Sequence, residues 1–216
     1  MKITSQIYQV GGSSESHPSD ASIYLIKNGE NAALVDAGTG RGHQQVMNNI
    51  GIPPKKIQYL FITHCHYDHI GGAQQIREVS GCSIVAHELD ASFMEKADQD
   101  VTGSAWYGTS IDPINVDIKV KGEEEHFSVG DIDVAFFHAP GHSPGSSILT
   151  AVSDDMLVLF GQDVHGPLNE VLMSNREDYV KSLEFMISLE ADILCEGHFG
   201  VYVGKDKVQE FIESFL

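Results

Sequence analysis

The stretch THCHYDHIGG, residues 63 to 72, gathers His64, His66, Asp68 and His69 within six positions and ends on two glycines. It follows IQYLFIT, a nearly continuous apolar run with the character of a buried strand. Neutral imidazole nitrogens suit zinc, iron or manganese, and a carboxylate adds charge balance and can bridge two ions. Past a strand end, the two-residue spacing of His64 and His66 lets a tight loop aim both rings at one ion. Asp68 and His69 can then aim at a neighbouring position. Three further places repeat the pattern of an apolar segment that ends in a polar residue. They are His142 after FFHAPG, Asp163 after LVLFGQ and His198 after DILCEG. If those strands lie side by side, their ends converge on one rim, the usual place for chemistry in α/β folds. A single histidine at a strand end is most often a surface residue, so the signal lies in the ordered set.

The elements that must position these residues can be read from pattern and punctuation. QIYQV, SIYLIKNG and NAALVDAG read as strands, the last two joined as a hairpin with Asn28-Gly29 as turn chemistry. GHQQVMNNIG reads as a helix closed by Gly51, with Pro53 and Pro54 beyond it. GGAQQIREVSG is expected to be a helix ending near Gly81, CSIVAH a strand and ELDASFMEKA a helix. Gly71 and Gly72 are expected to let the chain turn at once into its helix, and Pro140-Gly141 to present His142. After residue 115 strands return as NVDIKV, DIDVAFFHA, SSILTAV and DMLVLFG. The helix REDYVKSLEFMISL follows Ser174-Asn175, which can cap it. ADILCEG is a last strand and KDKVQEFIESF a closing helix. KGEEEH, residues 121 to 126, reads as a solvated turn. Residues 98 to 114 show no clean period and carry the only tryptophan, Trp106; a lid and a plain surface connection are both open readings. Two β-rich halves face to face with helices outside make an α/β (α+β) layered fold, expected as one domain over residues 1–216.

The formal net charge of −18 opposes nucleic acid and other polyanions and fits a small-molecule substrate. Three cysteines without paired spacing argue against a disulfide framework and suit a reducing cytosol. The N-terminal MKITSQIYQV has no apolar signal segment, and no apolar run reaches the length of a membrane span. A cytoplasmic protein without membrane association is the expectation. The oligomeric state is not legible.

VDAG at residues 35–38, THCHYDHIGG, APGHSPGS, FGQDV and EGHFG together resemble the five sequential motifs of the metallo-β-lactamase superfamily, over roughly residues 3 to 203. The resemblance implies a four-layer αββα sandwich with the site at one edge and a structural role for Asp36. It implies two divalent metal ions, with zinc the first expectation and iron or manganese the alternatives. His64, His66 and His142 would hold one ion, Asp68, His69 and His198 the other, and Asp163 would bridge both. The catalytic role falls to Asp68, close enough to orient a nucleophile and move a proton. Within the superfamily the chain most resembles small glyoxalase II-like hydrolases that open thioesters. Only eighteen residues follow His198, so the helical extension that binds glutathione in full glyoxalase II enzymes is missing. Another acyl carrier, an ester or a lactone is therefore expected. The alternative from another class is a di-iron redox protein acting on oxygen or nitric oxide. Such proteins often carry Glu at the position of His66 and an attached flavodoxin-like domain. Tyr67 and His165 are the candidates for substrate contact. Cys65 is expected to face away from the metals, and His17, His43, His87, His126 and His138 to lie outside the site.

Overall fold

Strand alternation sorts the apolar side chains into three cores and thereby sets the layers. Along β2 (Ile23–Asn28), Ile23 and Leu25 join one cluster while Tyr24 and Ile26 join another. In β3 (Asn31–Val35), Leu34 and Val35 divide in the same way. The first cluster seats α1 (His43–Ile50), α3 (Ala73–Ser80) and α4 (Glu88–Lys96) through Val46, Ile76 and Met94. The second lies between two sheets and includes Phe61, Phe136 and Phe160. The third seats α5 (Arg176–Ser188) and α6 (Lys205–Glu213) through Leu183 and Ile212. The order is helix, sheet, sheet, helix: the αββα sandwich.

The computed structural model describes residues 1–216. One sheet has the order β1 (Ile7–Gly11), β2, β3, β4 (Ile57–Phe61), β5 (Ser83–His87), β6 (Ile118–Val120). The other has β12 (Val201–Val203), β11 (Ile193–Cys195), β10 (Met156–Phe160), β9 (Ser147–Ser153), β8 (Ile132–His138), β7 (Glu124–Val129). A one-turn helix, α2 (Tyr67–Ile70), follows β4. β3 and β4 are parallel, as are β10 and β11. β9 is antiparallel to both β8 and β10, so β8, β10 and β11 all run one way. The segments leaving them carry His142, Asp163 and His198 to one edge.

Local chemistry accounts for most boundaries. Asn28 pairs with Asn31, so the hairpin loop is Gly29-Glu30, with Gly29 at φ +60°. Gly51 and Gly81 end their helices in the left-handed conformation. The Asn175 side chain accepts from the backbone N–H groups of Glu177 and Asp178, capping α5. Two expectations fail. KGEEEH is not a turn throughout: Glu124 opens β7, whose Phe127 and Val129 enter the inter-sheet core while its charges face water on an edge strand. β12 is a three-residue partner of β11, too short to show a period. No helix is long and apolar enough to cross a membrane. All three cysteines are free and buried.

At the rim, His87 at the end of β5 stacks on His138 at the end of β8, ring centroids 3.8 Å apart and 4° from parallel. Burial, then the neighbouring His138 ring, pushes His87 down to about 4. The unfolded ring takes its proton at about 6.5. The folded ring's neutral packing therefore stabilises fully above about pH 6.5, erodes below it and is lost once pH has fallen through about 4. Urea melts of the wild type and His87→Phe should diverge in pH dependence over that window, the variant losing less stability on acidification. Parallel pH profiles would show that this ring contributes nothing.

Candidate metal centre

The loop after β3 lies directly against the start of α3, and this explains the two glycines. Gly71 and Gly72 have ordinary φ values of −58° and −87°. What demands glycine is proximity: a Cβ at Gly71 would lie 2.6 Å from the Thr39 carbonyl oxygen, and one at Gly72 would overlap that of Ala37. The close approach sets Asp36 beneath the ligand loop. Gly141, at φ +131°, is pressed against the backbone of Tyr179 in α5 and so fixes the segment that carries His142.

All seven ligand candidates meet at this edge. His64, His66 and His142 each offer a ring nitrogen, and these atoms lie within 4.8 Å of one another. The same holds for His64, His69 and Asp163, and for Asp68, His69 and His198. Asp163 stands between the groups. Its Oδ2 is 3.4 Å from Nε2 of both His142 and His198 and 4.0 Å from that of His64. Its Oδ1 is 3.2 Å from His69 Nε2. Yet Nε2 of His64, His66 and His69, both ring nitrogens of His142 and Oδ1 of Asp163 are buried without a hydrogen bond. Each such orphan costs about 1–3 kcal/mol. Five of them, counting His142 through Nε2 alone, lie in one floor, and this mixed imidazole and carboxylate donor set fits a centre for divalent cations.

Buried carboxylates behind the ligands set their orientation. His69 Nδ1 donates to Asp36 Oδ2 at 2.7 Å. Thr63 Oγ1 donates to the same oxygen at 2.8 Å, so it accepts from His64 Nδ1 at 3.0 Å. Both rings therefore donate through Nδ1 and turn Nε2 into the site. Asp90, on α4 and 1% exposed, accepts from Cys65 N at 2.8 Å, Ser143 Oγ at 2.6 Å and Gly145 N at 2.6 Å. Cys65 lies between His64 and His66, and Ser143 follows His142, so one carboxylate fastens the backbone of all three. Glu196 accepts from His198 N at 2.6 Å and Phe199 N at 2.7 Å, and its other oxygen is 2.8 Å from His165 Nδ1.

Burial drives His66 down to about 3 and His64 well below its ordinary value, so both rings are neutral, as ligands must be. At His198 burial acts in the same direction, but Asp163 and Asp68 outweigh it and raise the ring to about 10. His69 is also raised, by Asp163 and Asp36 against burial. Burial would raise Asp163, yet His69 and His198 hold it well down.

Above this floor opens a cavity of about 200 Å³. Thr102, Trp106 and Tyr107 form one wall, and His165, Pro167 and Leu172 another. The 98–114 segment is thus part of the site. It contains a short 3-10 turn, Ser104–Tyr107, and is tied down. Gln99 Oε1 accepts from Ile111 N and Ser104 Oγ, and Arg41 donates to the Tyr107 carbonyl at 2.8 Å. A larger cleft of about 420 Å³ lies beside Phe137 and Phe185, but no orphaned polar side chain lines it.

His165 borders the cavity, where the sequence put it. Tyr67 does not: its ring is 8% exposed, packs in the helix-side core and sits 5.3 Å from the Tyr107 ring. Asp68 and His69, on the same turn, face the site, and position 67 is carried to the other side. The hydroxyl at the cavity belongs to Tyr107. Burial and the Asp68 charge push its pKa well up, so it is a protonated donor. Cys65 is fully buried, and burial together with Asp90 raises its thiol, which leaves it inert. Tyr107, Asp90 and Glu196 escaped sequence reasoning. The signals were slight: an acid three residues past a strand in HELD, and another just before the histidine in EGH.

Residues 18–198 match the metallo-beta-lactamase superfamily, and the chain belongs to it. The probable metallo-hydrolase YqgX of Bacillus subtilis (strain 168) is 28% identical over 189 residues, covering 84% of this chain and 86% of that protein. Acyl-coenzyme A thioesterase MBLAC2 of Gallus gallus is 28% identical over 220 residues, covering 91% of this chain and 78% of that protein. A solved metallo-β-lactamase of Cronobacter sakazakii with a HARLDQ motif superposes with a TM-score of 0.83 at 20% identity, over 99% of this chain and 90% of its own. That likeness concerns the fold alone. Family and relatives make the chain a metal-dependent hydrolase.

Asp90→Asn keeps the side chain's size and removes one acceptor oxygen. Competition with a chelator should show affinity at the His64–His66–His142 group weakened by about 10- to 100-fold. Unaltered affinity would mean that the ligand loops hold their shape without Asp90.

Proposed function

We propose that the protein is a dinuclear hydrolase that opens the thioester or ester carbonyl of a small substrate. The observation that carries this reading is Asp163, set between two three-residue ligand groups with an oxygen toward each. His64, His66 and His142 would hold one ion, Asp68, His69 and His198 the second, and Asp163 would bridge them. Imidazole and carboxylate donors suit zinc first, with iron and manganese as alternatives. Two such ions supply Lewis acidity, lowering the pKa of water toward about 7 and polarising a carbonyl.

The chain's own groups do the rest. The Asp68 carboxylate faces the cavity, 3.2 Å from His198 Nε2, and can accept a proton from the attacking water and return it to the departing sulfur or oxygen. The protonated Tyr107 hydroxyl, beside Asp68, can donate to the oxyanion that develops at the carbonyl. Asp36 keeps the His69 ring, and Asp90 the loops that carry His64, His66 and His142, from shifting as charge moves. Thioester chemistry is supported by the MBLAC2 relative, an acyl-coenzyme A thioesterase by name. A lactone presents the same carbonyl and remains in the substrate class. The charge of −18 disfavours a polyanionic substrate such as RNA.

A pH-indicator assay on protein carrying two zinc, iron or manganese ions tests this reading against acyl thioesters, lactones, a β-lactam and phosphodiesters. Acid release from thioester, ester or lactone, lost in His64→Ala, is the expected result. Silence across the panel with both metals bound overturns it and directs attention to oxygen and nitric oxide consumption. Asp68→Asn should lower kcat by about 100-fold or more while the His64–His66–His142 group still takes up its metal. Full turnover in that variant would remove Asp68 from proton transfer.

A further inference from the structure

The floor of the cavity is charged, but its mouth is apolar. Ten large apolar side chains are exposed on the whole surface, and four of them, Trp106, Val171, Met173 and Phe199, stand on the segments that wall this cavity or adjoin its lining. Trp106 is 58% exposed and Phe199 59%. Trp106 and Leu172 converge over Gly103: Leu172 Cδ2 and Trp106 Cε3 lie 3.6 and 3.8 Å from the point where a Cβ would stand. Pro167 lines the cavity on the side of Leu172, and the Phe199 ring is 4.7 Å from that of His165. No Lys or Arg lines the cavity. Arg41 lies outside that lining and donates through one nitrogen to the Tyr107 carbonyl.

Clustered exposed apolar surface is unfavourable until something apolar covers it, and such patches mark binding sites. Here Trp106, Pro167 and Leu172 line the same cavity as Asp68 and Asp163, so the covering group belongs to the molecule whose bond is cleaved there. We infer that the mouth is a subsite for a straight aliphatic chain. The reactive carbonyl lies at the floor beside Asp68, and the chain runs outward along Trp106, Pro167 and Leu172. No cation lines the cavity itself to receive a phosphorylated carrier, so along this wall the acyl chain supplies the recognition. The inference rests on the hydrolase reading above, and it adds the substrate's apolar part and the residues that select it.

Trp106 is the only tryptophan in the chain, so intrinsic indole fluorescence reports on this wall alone. Titrating the metal-loaded protein with 1-butanol, 1-hexanol and 1-octanol tests the subsite without turnover. The expected result is a blue shift as the chain covers the indole, with affinity rising about two- to fourfold per methylene. A second arm measures kcat/KM for neutral N-acetylcysteamine thioesters from acetyl to octanoyl. The octanoyl-to-acetyl ratio should be large in the wild type and at least fivefold smaller in Trp106→Ala, with Trp106→Phe restoring most of it. Chain-dependent alcohol binding without thioester turnover leaves the subsite standing and refutes the thioesterase reading. Acetyl turnover with no blue shift and no chain-length dependence overturns the subsite and keeps the hydrolase.

Discussion

The site depends first on one buried carboxylate. Asp36 accepts from Thr63 N, Thr63 Oγ1 and His69 Nδ1, and through Thr63 it also fixes His64. One ring in each proposed ligand group is thereby locked in a single orientation. The contact exists because β3 and β4 are parallel neighbours, with Val35 opposite Phe61, so the residue beyond one strand lies beside the residues beyond the other. Asp36 pays for this position with a φ of +63°, a conformation that costs a non-glycine residue about 1–2 kcal/mol. Its hydrogen bonds to the ligand loop, made out of water, offset that strain. Strand order, backbone strain and ligand chemistry are here a single constraint.

Two further carboxylates divide the remaining work by segment. Asp90 fastens the loops of His64, His66 and His142, and Glu196 fastens the backbone at His198 and the ring of His165. Both act on backbone N–H groups that have left their sheets and would otherwise be short of acceptors. Ligands carried by strands of two different sheets are thus held to a common geometry by side chains from neither strand end alone. His87 stacked on His138 adds a direct tie between the sheets at the same rim.

The layers were legible because they follow from side-chain alternation and helix-ending glycines, both local properties. The seven ligand candidates were legible for a related reason: each lies just past an apolar strand, and a strand's end can be seen in one segment. The misses are all contacts made across the chain. Tyr67 looked functional by adjacency, yet one turn of helix sends it into the core, and Tyr107, forty residues later, reaches the cavity instead. Asp90 resembles any acid in the first turn of a helix until its partners at residues 65, 143 and 145 are seen. The charges of KGEEEH hid an edge strand, because only its later alternation, through Phe127 and Val129, faces the core.

The charged floor and apolar mouth are physically complementary. Asp68 and Asp163 interact with their histidines more strongly the less water surrounds them, since electrostatic energies scale inversely with the local dielectric. A cavity of about 200 Å³ open on one side admits solvent to that floor. An apolar chain lying across Trp106 and Leu172 would displace it, and so strengthen the donation from Tyr107 and the hold of the carboxylates when charge develops at the carbonyl. Recognition of the chain and activation of the bond would then be one event, with the apolar wall acting on the chemistry through the water it excludes.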